Sequence, residues 1–236
     1  MPNYPKMIEL RNDNERRPYI KDCIAQVWKK HFGEVLTHFV KKEIGGGVLN
    51  YIYRVTSEGK SIYLKQALEK AKHEEKIGKD LASVPKERIQ YEEKYIETIQ
   101  PLLPEDIELP TILWYDKKNN ILVLSDVKKD GILLEASLLD GKFSRNTAYL
   151  LGKFLGASHK KTLGKKLVMR GSEEEDLMMW HLFLNMRTRG ILQRGKFPDM
   201  AKEEVEKVYQ IGKGKYTYNV VMNTDCCPKN VFERKD

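Results

Sequence analysis

Four side chains in this 236-residue sequence are of types and spacings that could do chemistry together: Lys65, Glu92, Asp225 and Asn230. Asp225 and Asn230 lie in the polar stretch Asn223-Thr224-Asp225-Cys226-Cys227-Pro228-Lys229-Asn230, with Val220-Val221 before it and Val231-Phe232 after it. That pattern predicts a loop between two short strands. In phosphoryl transfer to a hydroxyl, such a carboxylate accepts or orients the hydroxyl proton, while a nearby amide oxygen helps hold the magnesium that neutralises the moving phosphate. An Asx-rich turn with no chemistry would use the same residues, so the pair gains meaning only if the chain also builds a nucleotide site.

The elements that could build one come earlier. Residues 37–44 read as a strand, Gly45-Gly46-Gly47-Val48-Leu49-Asn50 as a glycine turn, and the alternating Tyr51-Ile52-Tyr53-Arg54-Val55 as the returning strand. Glycines there let backbone N–H groups approach phosphate oxygens with no Cβ in the way; a flexible hairpin is the plainer alternative. After Glu58-Gly59-Lys60 a third strand, Ser61 to Leu68, carries Lys65 among apolar residues. A lysine aimed under the glycine turn would meet phosphates, whereas a lysine on an outer face would only be solvated. A helix is expected from Pro85 to about Gln100, with Ser83 as its cap and Ile89, Ile96 and Ile99 as its buried stripe. Glu92 falls on that stripe and needs a partner there. Lys65 is the candidate, with Glu93 as the alternative carboxylate.

The remaining elements frame these. An amphipathic helix with a packing role spans Pro18 to Phe32, and residues 69–80 read as an exposed, mobile connection. Two further strands, Pro110 to Asp116 and Asn120 to Leu124, complete a five-stranded antiparallel sheet before Ser125-Asp126-Val127. Helices are then expected at Ile132–Leu139, Arg145–Leu163, Glu173–Leu192 and Asp199–Ile211, the third holding a stretch, Leu177–Leu184, that is apolar all round. His159 and His181 read as packing residues. The formal charge of +8 is dispersed among acidic residues, which suits a nucleotide better than a nucleic acid. Cys23 and the adjacent Cys226-Cys227 make an odd count and point to a reducing compartment. Cysteine and histidine lack zinc-site spacing. With no signal-like start and no membrane-length apolar run, a soluble, cytoplasmic protein with no membrane association is expected.

In this order the parts resemble the protein-kinase-like fold, and specifically its small-molecule branch, the aminoglycoside phosphotransferase, choline kinase and methylthioribose kinase group. The resemblance covers about residues 37–236. Ile44-Gly45-Gly46-Gly47-Val48-Leu49-Asn50, Leu64-Lys65-Gln66-Ala67-Leu68 and Arg88-Ile89-Gln90-Tyr91-Glu92 are most similar to methylthioribose kinase. It implies an α+β, bilobal fold, with a nucleotide-binding lobe over residues 1–127 and a helical lobe carrying the catalytic loop over residues 128–236. The implied activity is ATP-dependent transfer of the γ-phosphate to a hydroxyl of a sugar, amino sugar or amino alcohol. ATP and Mg2+ are the implied cofactors and a small-molecule hydroxyl compound the partner.

By position, Gly45, Gly46, Gly47 and Asn50 would cover the phosphates, and Lys65 would pair them with Glu92 behind it. Ser125 to Val127 would be the adenine hinge, Asp225 the catalytic base and Asn230 a magnesium ligand. The chain departs from the family in two places. Asn223-Thr224 stands where the family has His-Gly, and Asp236 lies too close to Asn230 to be the family's second metal-binding Asp. Val231-Phe232 is therefore expected to lack its return strand, as in a C-terminally truncated chain. The alternative function is a kinase-like protein that binds nucleotide or a partner without turnover.

Overall fold

The computed structural model describes residues 6–45, 47, 49–73, 85–127, 131–142, 144–164, 203 and 230–234. Strands β1 (Val40–Glu43), β2 (Tyr51–Ser57), β3 (Lys60–Gln66), β4 (Ile112–Asp116) and β5 (Ile121–Ser125) form a five-stranded antiparallel sheet. Their order is β1-β2-β3-β5-β4, which places β3 at the centre. Local chemistry sets the turns. Glu58 and Gly59 both adopt positive φ, 48° and 77°, and two such residues match the twist of the strands they join. Asn120, at φ 51°, closes the β4–β5 turn, where Asn119 bonds Asp116 through its N–H and its side-chain amide at 3.2 and 2.6 Å.

Both faces of the sheet are covered, and the alternation of each strand assigns residues to one face or the other. Tyr53, Val55, Ile62, Leu64, Ile121 and Val123 pack with the N-terminal helical segment in one core. Ala67, Leu122 and Leu124 pack with Ile89 and Ile96 in another, joined by Tyr63. The expected helix at Pro18 instead begins at Asp13. It runs as α1 (Asp13–Tyr19), a π turn (Ile20–Ile24) and α2 (Ala25–Phe32), and ends at Gly33 in the left-handed region. Pro18 sits inside α1 and marks no start. It supplies no N–H to the helical ladder, and the π turn next to it is the kind of local defect such a residue produces.

The segment before α1 is fastened to the same face by Gln66, a fully buried residue at the end of β3. Its side chain accepts from the Leu10 N–H at 2.7 Å and donates to the Ile8 and Asn119 carbonyls at 2.6 and 3.0 Å. Asn119 in turn accepts from the Ile8 N–H at 2.7 Å. Residues 69–73 are less exposed than the sequence suggests, because Ala71 is buried and Lys72 pairs with Glu43 at 2.5 Å.

On the opposite face a short 3-10 turn (Lys86–Arg88) leads into α3 (Ile89–Ile99), whose Ile89, Ile96 and Ile99 are buried as its periodicity requires. Ser83 lies outside the described residues. Helix α5 (Arg145–Thr162) starts at Ser144, whose hydroxyl accepts from the Thr147 N–H at 3.1 Å. It packs Phe154 on Ile99 with Leu102, Leu103 and Ile107 around the contact. The helix expected from Ile132 begins two residues later, because Ile132–Leu133 is strand β6 and α4 is Leu134–Leu139. Strand β6 pairs antiparallel with β7 (Phe232–Glu233), and Leu134 donates to the Val231 carbonyl at 2.9 Å. The segment after Asn230 therefore does have a strand partner, and that partner lies upstream in the chain. The helices expected at residues 173–192 and 199–211 fall outside the described residues, Glu203 apart. No helix among the described residues is long and apolar enough to cross a membrane.

Candidate functional site

Lys65 projects from the central strand, with Ile52 of β2 and Leu122 of β5 as its cross-strand partners. Its parity in β3 matches Tyr63 and Ala67, so it shares their face, the one α3 covers. Glu92 is one turn into α3 and flanked along the stripe by Ile89 and Ile96. The two charges meet, with Lys65 Nζ 2.5 Å from Glu92 Oε2 and side chains 23% and 28% exposed. Glu92, and not Glu93, is thus the partner. The Glu93 carboxyl sits apart, its pKa raised chiefly by burial and secondarily by Glu97. An ammonium has three donors, and Glu92 is the one acidic partner of Lys65 among the described residues. Among the described residues, no second acidic partner competes with a ligand's anionic oxygens for the remaining N–H bonds.

Of the glycine turn, Gly47 lies beside the Lys65 face. The hairpin of β1 and β2 is sealed by Ile44 donating to the Ile52 carbonyl at 2.8 Å. A Cβ on Gly47 would lie 3.8 Å from Ile52 Cδ1 and 3.4 Å from the Asn50 carbonyl oxygen. Since Ile52 is the cross-strand neighbour of Lys65, the turn ends beside the lysine's column of side chains. A Cβ on Gly45 would meet nothing within 4 Å, and neither residue has a positive φ. No backbone constraint in the chain itself demands glycine at position 45. Gly46 lies outside the described residues.

Two further residues, Arg88 and Asp126, have side-chain roles here that the sequence did not assign. Arg88, 7% exposed, donates through Nε to Asn50 Oδ1 at 3.0 Å and through Nη2 to the Leu49 carbonyl at 2.8 Å. Its Nη1 reaches the Leu68 and Pro85 carbonyls at 2.7 and 2.9 Å. Burial pushes its pKa down to about 10, because a low dielectric disfavours the cation. Asp126 accepts from Arg54 Nη2 and Nε at 2.7 and 3.2 Å and from the Ser61 hydroxyl. Its side chain is 8% exposed. The available signal was a charge alternating with apolar residues in β2, where Arg54 shares the Ile52 face.

The hinge residues are unequally free. The Ser125 N–H donates to the Thr111 carbonyl at 2.9 Å and its hydroxyl accepts from the Thr111 N–H at 2.8 Å, so both are committed to the sheet. Among the described residues no hydrogen bond engages Val127. Asn230 is exposed and directly precedes the segment paired with β6. Asp225 lies outside the described residues, as do His181 and the Cys226-Cys227 pair. Among the described residues no group of three or more His, Cys, Asp or Glu side chains could hold a metal ion.

No protein-family model matches the sequence, and no curated protein does either. The case for function rests on the residues themselves. Gly47 beside Ile52, Asn50 held by Arg88, and the Lys65–Glu92 pair lie on the α3 side of the sheet, and Val127 follows the strand that neighbours β3.

Proposed function

We propose that this chain belongs to the protein-kinase-like small-molecule kinases and transfers the γ-phosphate of ATP to a hydroxyl of a sugar, amino sugar or amino alcohol. The observation that carries the reading is the Lys65–Glu92 pair, seated on the central strand beside a glycine turn whose first residue has open space where a Cβ would be. In phosphoryl transfer, positioning and charge stabilisation supply most of the rate. This face offers parts that would hold the nucleotide. Lys65 would hold phosphate oxygens with the donors Glu92 leaves free, and Glu92 would fix the ammonium's position. Gly45 and Gly47 would admit the phosphates close to the backbone. The Val127 backbone groups would meet adenine, with Asp126 anchored to Arg54 and Ser61 beside them.

ATP supplies the phosphoryl group and its good leaving group. Magnesium would be held in part by the Asn230 side-chain oxygen. Asp225 is assigned the role of accepting the acceptor's hydroxyl proton. Whether binding leads to turnover is tested by incubating the protein with ATP, magnesium and a panel of small hydroxyl compounds and following ADP release. Acceptor-dependent ADP release that falls about 10²–10⁴-fold in Asp225→Asn is expected. Nucleotide binding with no acceptor-dependent release would favour the alternative, a kinase-like protein that binds without transfer.

A further inference from the structure

We infer that Arg88 is a positioning residue that fixes the glycine turn to the helix carrying Glu92, so that turn and ion pair keep one geometry relative to each other. It rests on the nucleotide-site reading above only for the identity of the ligand. One guanidinium joins three elements. Its Nε and Nη2 hold Asn50 Oδ1 and the Leu49 carbonyl, the exit of the glycine turn, at 3.0 and 2.8 Å. Its Nη1 holds the Leu68 carbonyl, just past the strand that carries Lys65, and the Pro85 carbonyl, at the entrance to α3. Arg88 itself is the residue from which α3 starts, one helical turn before Glu92. All four of these bonds go to neutral oxygens, and a planar fork with fixed donor directions can satisfy several at once, which a lysine's point charge cannot. A displacement of α3 that separated Glu92 from Lys65 would carry Arg88 with it and pull on Leu49 and Asn50.

The experiment compares wild type with Arg88→Lys and Asn50→Ala. The amide resonances of Gly45, Gly47 and Glu92 are recorded without ligand, and ATP affinity is measured by calorimetry. In Arg88→Lys the three resonances are expected to move together and ATP affinity to fall about tenfold, the scale of one lost charge-assisted hydrogen bond. Asn50→Ala, which cuts one of the four bonds, should move the Gly45 and Gly47 resonances in the same direction with a smaller loss. Folded Arg88→Lys protein with unmoved Gly45 and Gly47 resonances would overturn the assignment. Should Arg88→Lys not fold, unmoved glycine resonances in Asn50→Ala would overturn it equally. Moved resonances in a protein whose wild type binds no ATP would leave the Arg88 linkage standing and remove the nucleotide reading instead.

Discussion

At the scale of single residues, the Lys65–Glu92 pair separates binding from folding. Each side chain is about three-quarters buried, and removing one partner of a buried pair leaves the other charge uncompensated. Glu92→Gln is expected to lower stability by about 1 kcal/mol, an intermediate value for a pair still reached by water. It should weaken ATP binding less than Lys65→Ala does, since Lys65 is the group proposed to touch phosphate. Urea titration together with calorimetry on both variants checks this; a loss of ATP affinity in Lys65→Ala no larger than in Glu92→Gln would contradict the expectation.

A second residue tests the N-terminal helical layer through pH. The buried Cys23 thiol is pushed up from 9.0 to about 11, chiefly by desolvation. A raised folded-state pKa gives a contribution fully present below pH 9 that is lost as pH rises through about 11. At about 1.4 kcal/mol per pKa unit, with each end of the range half-titrated, wild type should lose about 2 kcal/mol more than Cys23→Ala between these limits. Stability curves that stay parallel from pH 8.5 to 11 would show that the thiol is not held in that environment.

At the scale of elements, Gln66 ties the N-terminal segment to the sheet. Gln66→Leu deletes its bonds to Ile8, Leu10 and Asn119 and leaves buried backbone groups unpaired. A cost of about 3 kcal/mol is expected, at 1–3 kcal/mol for each buried group left unsatisfied, with faster amide exchange at Leu10. A loss under about 0.5 kcal/mol would mean the segment is held by its apolar contacts alone. Much of this architecture was legible in the sequence. Alternation in Tyr51–Val55 and the Ile89, Ile96, Ile99 stripe give the sheet face and helix face, and so the Lys65–Glu92 contact. Three features were not. Gln66 and Arg88 bond mainly to backbone carbonyls, which leave no complementary side chain to notice. Pro18 reads locally as a helix start, and only the longer run from Asn12 shows otherwise. The β6–β7 pair joins two-residue strands far apart in the chain, too short for any alternation to show.

At the scale of the whole molecule, one sheet is packed on both faces, and the two layers have different work. The N-terminal helical segment closes one face with a continuous apolar core from Leu10 to Trp28. The other face carries α3 and the gathered polar groups, and α5 packs on the end of α3 through Phe154 and Ile99. At Gly45 a Cβ would meet no described atom within 4 Å, so an alanine there is accommodated by the fold and its effect reads out on a bound ligand. Gly45→Ala should leave thermal stability unchanged and weaken ATP binding. The most direct test of the central claim is calorimetric titration of ATP into wild type, Lys65→Ala and Gly45→Ala at matched thermal stability. ATP binding that weakens about 10- to 100-fold in Lys65→Ala, as the loss of charged hydrogen bonds implies, and measurably in Gly45→Ala is the predicted result. Folded wild-type protein that binds no ATP, or ATP affinity unchanged in Lys65→Ala, would contradict it.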